Sequence, residues 1–156
     1  MFDEATTAFL LSGCSLIVGG LTPDGEPFAT RGWGVRIGEG DHVRVVVGVA
    51  DLRRLDVVDG HHRRLAVTGA DVPSLRSVQV KGDVVGSEDV DEADLAQHRS
   101  VCDQVVADGQ RTDGTARHLM ERLVPADLVT VVVRVTELFD QTPGPRAGQP
   151  LAAGHP

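Results

Sequence analysis

Two short segments of the sequence combine charged, amide and hydroxyl side chains with glycine at spacings that could hold a ligand. The first is Arg31–Arg36, in which two glycines flank Trp33. Glycine leaves room for a flat ligand to approach the backbone, and the guanidinium of Arg31 could grip phosphate oxygens through two parallel hydrogen bonds. The alternative is that Arg31 and Arg36 are surface residues and that Trp33 fills the core.

The second segment is Ser77–Gly82, in which Ser77, Gln79 and Lys81 alternate with apolar residues and glycine. A period of two places these three polar side chains on one face of a strand, where they could offer hydrogen bonds and charge to a ligand. The competing interpretation is a solvated face, since antiparallel sheets often expose one polar face to water.

Strands must position both segments, because period-two patterning dominates the chain. The sequence predicts strands over Ser12–Leu21, Phe28–Ile37, His42–Val47, Arg64–Gly69, Ser77–Ser87 and Leu128–Phe139, and helices over Asp51–Asp59, Asp91–Ala107 and Thr115–Val124. The predicted class is mainly β (α+β), with one domain over residues 1–140. The proline and glycine content of residues 141–156 predicts an extended C-terminal tail.

Charge and composition narrow the expected partners. The formal net charge of −8 repels a phosphate backbone, so nucleic acid is not an expected partner. The apolar runs are too short to span a bilayer and no export signal is evident, which predicts a soluble, cytoplasmic protein with no membrane partner. Cys14 and Cys102 lack metal-ligand spacing and are expected to be free thiols. No metal site is expected, because adjacent His61 and His62 on a strand would point to opposite faces.

The strand order, the segment Ser74–Gly82 and the later segment Phe139–Pro145 together resemble the FMN-binding split-barrel family related to pyridoxamine 5′-phosphate oxidase. The resemblance extends over about Phe9–Leu151 and implies a six- to seven-stranded antiparallel split β-barrel with two to three helices. It also implies a homodimer that binds FMN or, alternatively, a deazaflavin at the subunit interface.

The resemblance assigns roles to the residues of both segments. Arg31 and Arg36 would hold the phosphate or the ring of the flavin, and Trp33 would pack nearby. Ser77 and Gln79 would donate or accept hydrogen bonds at the pyrimidine edge of the ring. Lys81 would place a positive charge near the pyrimidine end. The family's second phosphate-binding segment, a hydroxyl or amide residue followed by Ser-Arg-Lys, is replaced by Val47–Arg54. Asp51 within it would repel a phosphate dianion unless Arg53 or Arg54 turns inward to compensate.

The implied activity is oxidoreduction of an unidentified small molecule, in which the cofactor carries the hydride chemistry. One alternative is a non-catalytic dimeric binding module that has lost its flavin, as Asp51 would allow. Another is a heme-handling relative. The segment Gln141–Gly148 resembles the tail of a bacterial subgroup of these proteins and could lie as a strap over a partner subunit or a site.

Overall fold

The computed structural model describes residues 2–55, 57 and 62–151. Within them the elements follow the order α1 (Glu4–Leu11), β1 (Ser15–Leu21), β2 (Pro27–Gly32), β3 (Gly34–Ile37), β4 (His42–Gly48), α2 (Val49–Leu52), β5 (Arg64–Ala70), β6 (Ser77–Glu88), α3 (Glu92–Thr112), α4 (Arg117–Glu121), β7 (Leu128–Asp140) and β8 (Gln149–Pro150). No helix of this described part has the length and apolar character needed to cross a membrane.

The strands form one antiparallel sheet in the order β2-β1-β5-β6-β7-β4-β3, and β8 pairs with the end of β7. The sheet curls into a half-barrel, since β2 at one edge leads through Trp33 directly into β3 at the other. At this junction the Trp33 N–H donates to the carbonyl oxygen of Val46 at 2.8 Å. The predicted mainly β split-barrel fold is confirmed.

The core lies inside the curl and is built largely from valine. The inward side chains of β4 and β7 are almost completely inaccessible and include Val43, Val45, Val131, Val133 and Val135. Burial of each such side chain contributes about 1.5 to 3 kcal/mol. Because strand side chains alternate, this buried set also fixes which residues of each strand point outward.

Helix α3 covers part of the outward surface, next to β3. It begins with a capping box, in which the Asp94 N–H donates to Asp91 Oδ1 at 2.6 Å, and it buries Val101, Val105 and Val106. The outward side chains of β1, β5 and β6 remain accessible, with Ile17 45% exposed. The described residues therefore leave this face of the sheet uncovered.

The strands agree with the sequence prediction more closely than the helices do. The strand predicted over Phe28–Ile37 is two strands, separated where Trp33 leaves the ladder. Helix α1 was not predicted, although Asp3 caps it by accepting a hydrogen bond from the Thr6 N–H at 2.7 Å. Of the helix predicted over Asp51–Asp59, Asp51 and Leu52 belong to α2, and Asp56, Val58 and Asp59 lie outside the described residues, as do Gly60 and His61.

The C-terminal segment folds back on the sheet. The Gly148 N–H donates to the carbonyl of Asp140 at 2.7 Å, and the Leu151 N–H donates to the carbonyl of Leu138 at 2.8 Å. Leu151 also packs against the core. The tail is therefore attached to β7 as far as Leu151.

Candidate functional site

A row of outward side chains crosses the open face of the sheet. In the strand register, Arg31 of β2 lies opposite Ile17 of β1, Ile17 lies opposite Thr68 of β5, and Thr68 lies opposite Gln79 of β6. We call these four residues the outer shelf. Neighbouring strands lie about 4.8 Å apart, so three steps separate the backbones of Arg31 and Gln79 by about 14 Å.

At one end of the outer shelf, side-chain amides and a hydroxyl form a chain of hydrogen bonds. Gln79 Nε2 donates to Thr68 Oγ1 at 2.9 Å, and Gln79 Oε1 accepts from Gln141 Nε2 at 3.3 Å. The Gln141 N–H donates in turn to the carbonyl of Ser77 at 2.8 Å, and the Ser77 N–H donates to Thr142 Oγ1 at 3.0 Å. The start of the tail thus fixes the orientation of Gln79 beside Ser77.

Arg31 occupies the other end of the outer shelf. Its Nη1 donates to Ser15 Oγ at 3.3 Å, and its guanidinium carbon lies 5.9 Å from the centroid of the Trp33 ring. Within the described residues this long hydrogen bond is its only one, so most of its five N–H donors remain for a ligand.

Trp33 lies behind the outer shelf rather than on it. Its side chain is 3% exposed and meets the ring of His98 edge-on, with 6.4 Å between the centroids. His98 Nδ1 lies 2.9 Å from the Trp33 carbonyl oxygen, and Cys102 Sγ lies 3.7 Å from the same nitrogen. The residue is therefore placed to support Arg31 from below, between the sheet and α3.

The cysteines are free thiols, as predicted. Burial raises the pKa of Cys14 to about 11 and also raises the pKa of Cys102. Both are therefore protonated at neutral pH, which makes them poor nucleophiles.

Arg36 is not brought to the outer shelf. Its Nη1 contacts Asp91 Oδ1 at 2.7 Å and Asp94 Oδ1 at 2.8 Å, at the start of α3. Arg44 joins this cluster through Asp94 at 2.7 Å and Glu88 at 2.5 Å. The cluster holds α3 against β3 and β4, so the two arginines of the first segment have different environments.

The carboxylate of Asp51 is hydrogen-bonded to another side chain of the protein. The Thr30 hydroxyl donates to Asp51 Oδ2 at 2.6 Å, and the guanidinium carbon of Arg54 lies 3.9 Å from the centroid of the Phe28 ring. Arg54 therefore stacks on an aromatic ring instead of pairing with Asp51. Within the described residues, Val47–Arg54 therefore offers no hydroxyl group, and Arg54 does not compensate the charge of Asp51.

Lys81 lies two residues beyond Gln79 on β6, beside a groove next to the outer shelf. Its Nζ lies 4.8 Å from the centroid of the Phe139 ring. The groove encloses about 600 Å³, and it is lined on one side by Gly19 and Ala66 and on the other by Lys81 and His62–Arg64. Lys81 thus shares a face with Gln79 but borders a separate cavity.

Of the six residues predicted from the sequence, the structure brings Arg31 and Gln79 onto one row, with Ser77 and Lys81 flanking Gln79 on the same face of β6, and it places Trp33 and Arg36 elsewhere. The sequence interpretation did not single out Ile17 or Thr68. The period-two pattern of Arg64–Gly69 would have shown that Thr68 points away from Val67, but only the strand order reveals that it lies opposite Gln79.

No protein-family model matches the sequence, and no curated protein is similar enough to be matched. Solved structures are similar in fold. HupZ from Group A Streptococcus has 13% identity and a TM-score of 0.55, covering 95% of this chain and 100% of that one. A structure described as F420 reductase has 19% identity and a TM-score of 0.52, covering 88% and 98%. HutZ, the heme storage protein from Vibrio cholerae, has 14% identity and a TM-score of 0.51, covering 88% and 93%.

The chain therefore has the split-barrel fold of pyridoxamine 5′-phosphate oxidase-like proteins. At these identities the similarity establishes the fold, and the reductase and heme-storage functions belong to the proteins that carry those names.

Proposed function

We propose that the protein binds a flavin nucleotide, either FMN or a deazaflavin, on the outer shelf, and that it uses this cofactor in a redox step on a small molecule. The observation that carries the proposal is the row itself. An arginine that makes one hydrogen bond to the described part of the chain stands at one end and an oriented amide at the other, with Ile17 and Thr68 between them.

The spacing and chemistry of the row suit such a nucleotide. The separation of about 14 Å between the two ends is on the scale of a flavin nucleotide from ring edge to phosphate. Gln79 and Ser77 would offer hydrogen bonds to the polar edge of the ring, while Arg31 would hold the phosphate. The partly exposed side chain of Ile17 would pack against the flat ring.

When bound, a flavin or deazaflavin supplies hydride transfer, which no side chain of this protein could supply. The residues of the chain then have three tasks. Arg31 anchors the nucleotide, the Thr68–Gln79–Gln141 chain fixes the orientation of its ring, and Ile17 excludes water from one ring face. Lys81 stands apart from this set, because its ammonium group borders the neighbouring groove.

A second copy of the chain is part of the proposal. A ring lying on an open sheet would keep its other face in water, which weakens both packing and hydrogen bonds. A homodimer that joins the outer shelves of two copies would cover both. The exposed Ile17 at the middle of the shelf supports this arrangement, since an apolar side chain in the centre of a polar face is typical of an interface.

The main competing function is a dimeric binding module without flavin. It is favoured by Asp51, whose carboxylate accepts a hydrogen bond from Thr30. In the family that the sequence resembles, this segment is expected to bind phosphate. If a flavin nucleotide is bound, Arg31 has to hold its phosphate without help from this segment, so removal of Arg31 should weaken flavin binding. A module without flavin would bind neither nucleotide.

The test is a fluorescence titration of the purified protein with FMN and, separately, with a deazaflavin nucleotide. Arg31→Ala should weaken binding by about 1.5 to 3 kcal/mol, which is about tenfold or more in Kd, because a charge-assisted contact is lost. Arg122→Ala, which removes an exposed arginine near α4, is the matched control and should bind like the wild type.

Three outcomes would contradict the proposal. Equal affinities for the Arg31 and Arg122 variants would place the phosphate elsewhere. Absence of binding by the wild type to either nucleotide would favour the binding module. A Soret band on adding hemin, without flavin binding, would favour heme handling.

A further inference from the structure

The groove beside the outer shelf has a charge that is unusual for this chain. Its lining includes His62, Arg63, Arg64 and Lys81 and one acidic residue, Asp83, whereas the chain as a whole carries a formal net charge of −8. We call this cavity the basic groove. Its volume of about 600 Å³ is in the range of small-molecule sites.

Most of the nearby charges are paired, and Lys81 is the exception. Arg64 Nη2 contacts Glu137 Oε1 at 2.7 Å, and Asp83 Oδ2 contacts Arg134 Nη2 at 3.2 Å. Among the described residues, no hydrogen bond or carboxylate engages the Lys81 ammonium group. Its position over Phe139 keeps it on the outer face of the sheet, with its donors available.

On the side of the basic groove away from Lys81, a ligand could approach the backbone closely. A Cβ added at Gly19 would have its nearest neighbour, the Phe28 carbonyl oxygen, at 3.9 Å, so the chain itself does not require glycine there. Gly19 and Ala66 are paired, and Ala66 and Lys81 are paired. A ligand lying on this row would meet small residues at one end and an ammonium group at the other.

The basic groove also adjoins the proposed cofactor. Lys81 and Gln79 point to the same face of β6 and are separated by about 7 Å along the strand. An anionic group held by Lys81 would therefore lie beside a ring positioned by Gln79, within reach of a small molecule that contacts both.

We propose that the basic groove binds an oxyanion group, phosphate or carboxylate, of the small molecule on which the protein acts. The assignment to a substrate rests on the proposed flavin function, whereas the binding of an oxyanion in the groove does not. Lys81 is the principal contact, and Gly19 admits the body of the ligand.

The first experiment needs no flavin. Inorganic phosphate and, separately, glutarate are titrated into the protein while the backbone amide NMR signals are followed. Signals of Gly19, Gly20 and Ala66 should shift saturably with at least one of the two anions. Lys81→Gln should weaken that binding about tenfold, and Lys81→Arg, which keeps the charge, should retain it. Arg99→Gln removes an exposed charge on α3 and should change the Kd by no more than about twofold.

Saturable shifts with either anion support the proposal, and the preferred anion identifies phosphate or carboxylate as the group. The proposal is overturned if neither anion shifts these signals, or if the Lys81→Gln and Arg99→Gln variants respond alike.

The second experiment separates this site from the cofactor site. Lys81→Gln should bind FMN or deazaflavin within about threefold of the wild type. A tenfold loss would overturn the proposal, because the basic groove would then hold the phosphate of the cofactor. Failure of the wild type to bind either nucleotide would count against the flavin function alone, since the anion titration is independent of it.

Discussion

At the scale of single residues, Asp94 determines how α3 is attached to the sheet. Its side chain is 1% exposed and accepts hydrogen bonds from Arg36, Arg44 and Thr130 at 2.7 to 2.9 Å. Burial opposes ionisation of Asp94, but these donors and the two positive charges outweigh it and lower its pKa below the ordinary value of 3.8. The carboxylate is therefore charged in the folded protein, with three elements bound to it.

We expect Asp94→Asn to destabilise the fold by about 2 to 4 kcal/mol at neutral pH, because two arginines lose a charged partner. A folded-state pKa below the unfolded one contributes stability that is complete above the unfolded value and is lost as the pH falls through the folded value. The difference between wild type and variant should therefore shrink from neutral pH to about pH 2, as measured by urea denaturation.

The control is Asp89→Asn, which removes an exposed carboxylate shortly before α3. It should change the free energy of unfolding by less than about 0.5 kcal/mol at either pH. If the free energy of unfolding differs between wild type and Asp94→Asn by the same amount at both pH values, the ionised carboxylate is not what stabilises α3.

Asp94 also explains why the predicted site was only partly assembled. The sequence shows Arg31 and Arg36 five positions apart, and nothing in that spacing distinguishes them. Arg36 pairs with Asp94, which lies 58 positions later, whereas among the described residues Arg31 has a single long hydrogen bond, to Ser15. Which of two nearby arginines remains available is decided by a contact between distant parts of the chain, and composition or periodicity cannot reveal it.

At the scale of elements, the period-two pattern predicted where the long strands lie but did not predict the irregularities in their pairing. β6 was predicted correctly, but its pairing with β7 shifts register between Lys81 and Gly82 and again between Val84 and Gly86. A Cβ at Gly82 would lie 2.1 Å from the Arg134 carbonyl oxygen, so glycine is required at the first shift. The sequence contains this glycine, but its partner strand has to be known before its role can be recognised.

The C-terminal segment is the element whose removal is most informative. A chain ending at Asp140 loses the hydrogen bonds of Gln141, Gly148 and Leu151 to Ser77, Asp140 and Leu138, as well as the packing of Leu151 on the core. At about 1 kcal/mol for each bond, we expect a loss of about 3 kcal/mol, or a Tm lower by about 6 to 12 °C.

A chain ending at Leu151 keeps all of these contacts and serves as the control, with an expected Tm within about 1 °C of the full chain. The shorter variant should also bind flavin more weakly, since Gln79 loses the Gln141 amide that orients it. Identical melting curves for the two truncated proteins would mean that the tail adds nothing to the fold.

At the scale of the whole molecule, the helices of the described residues leave one face of the curled sheet uncovered. Valine at inward positions fills the core, and α3 covers the surface next to β3. On the outer shelf, Ile17 stays 45% exposed among polar neighbours. The sequence shows that the strands are rich in valine, but the location of the uncovered face follows only from the strand order.

If two outer shelves pack together, a charge at their centre should strongly weaken dimerisation, because burying a carboxylate costs several kcal/mol of desolvation that a single pairing with its cross-strand neighbour Arg31 does not repay. We expect the wild type to sediment as a dimer at micromolar concentration and Ile17→Asp to sediment as a monomer. Leu123→Asp, at an apolar residue of similar exposure after α4, should remain a dimer. Since the proposed flavin site is completed by the second copy, Ile17→Asp should also weaken flavin binding at least about tenfold. A dimeric Ile17→Asp protein with wild-type flavin affinity would show that the open face is not the interface, and a monomeric wild type that binds flavin would show that one chain suffices.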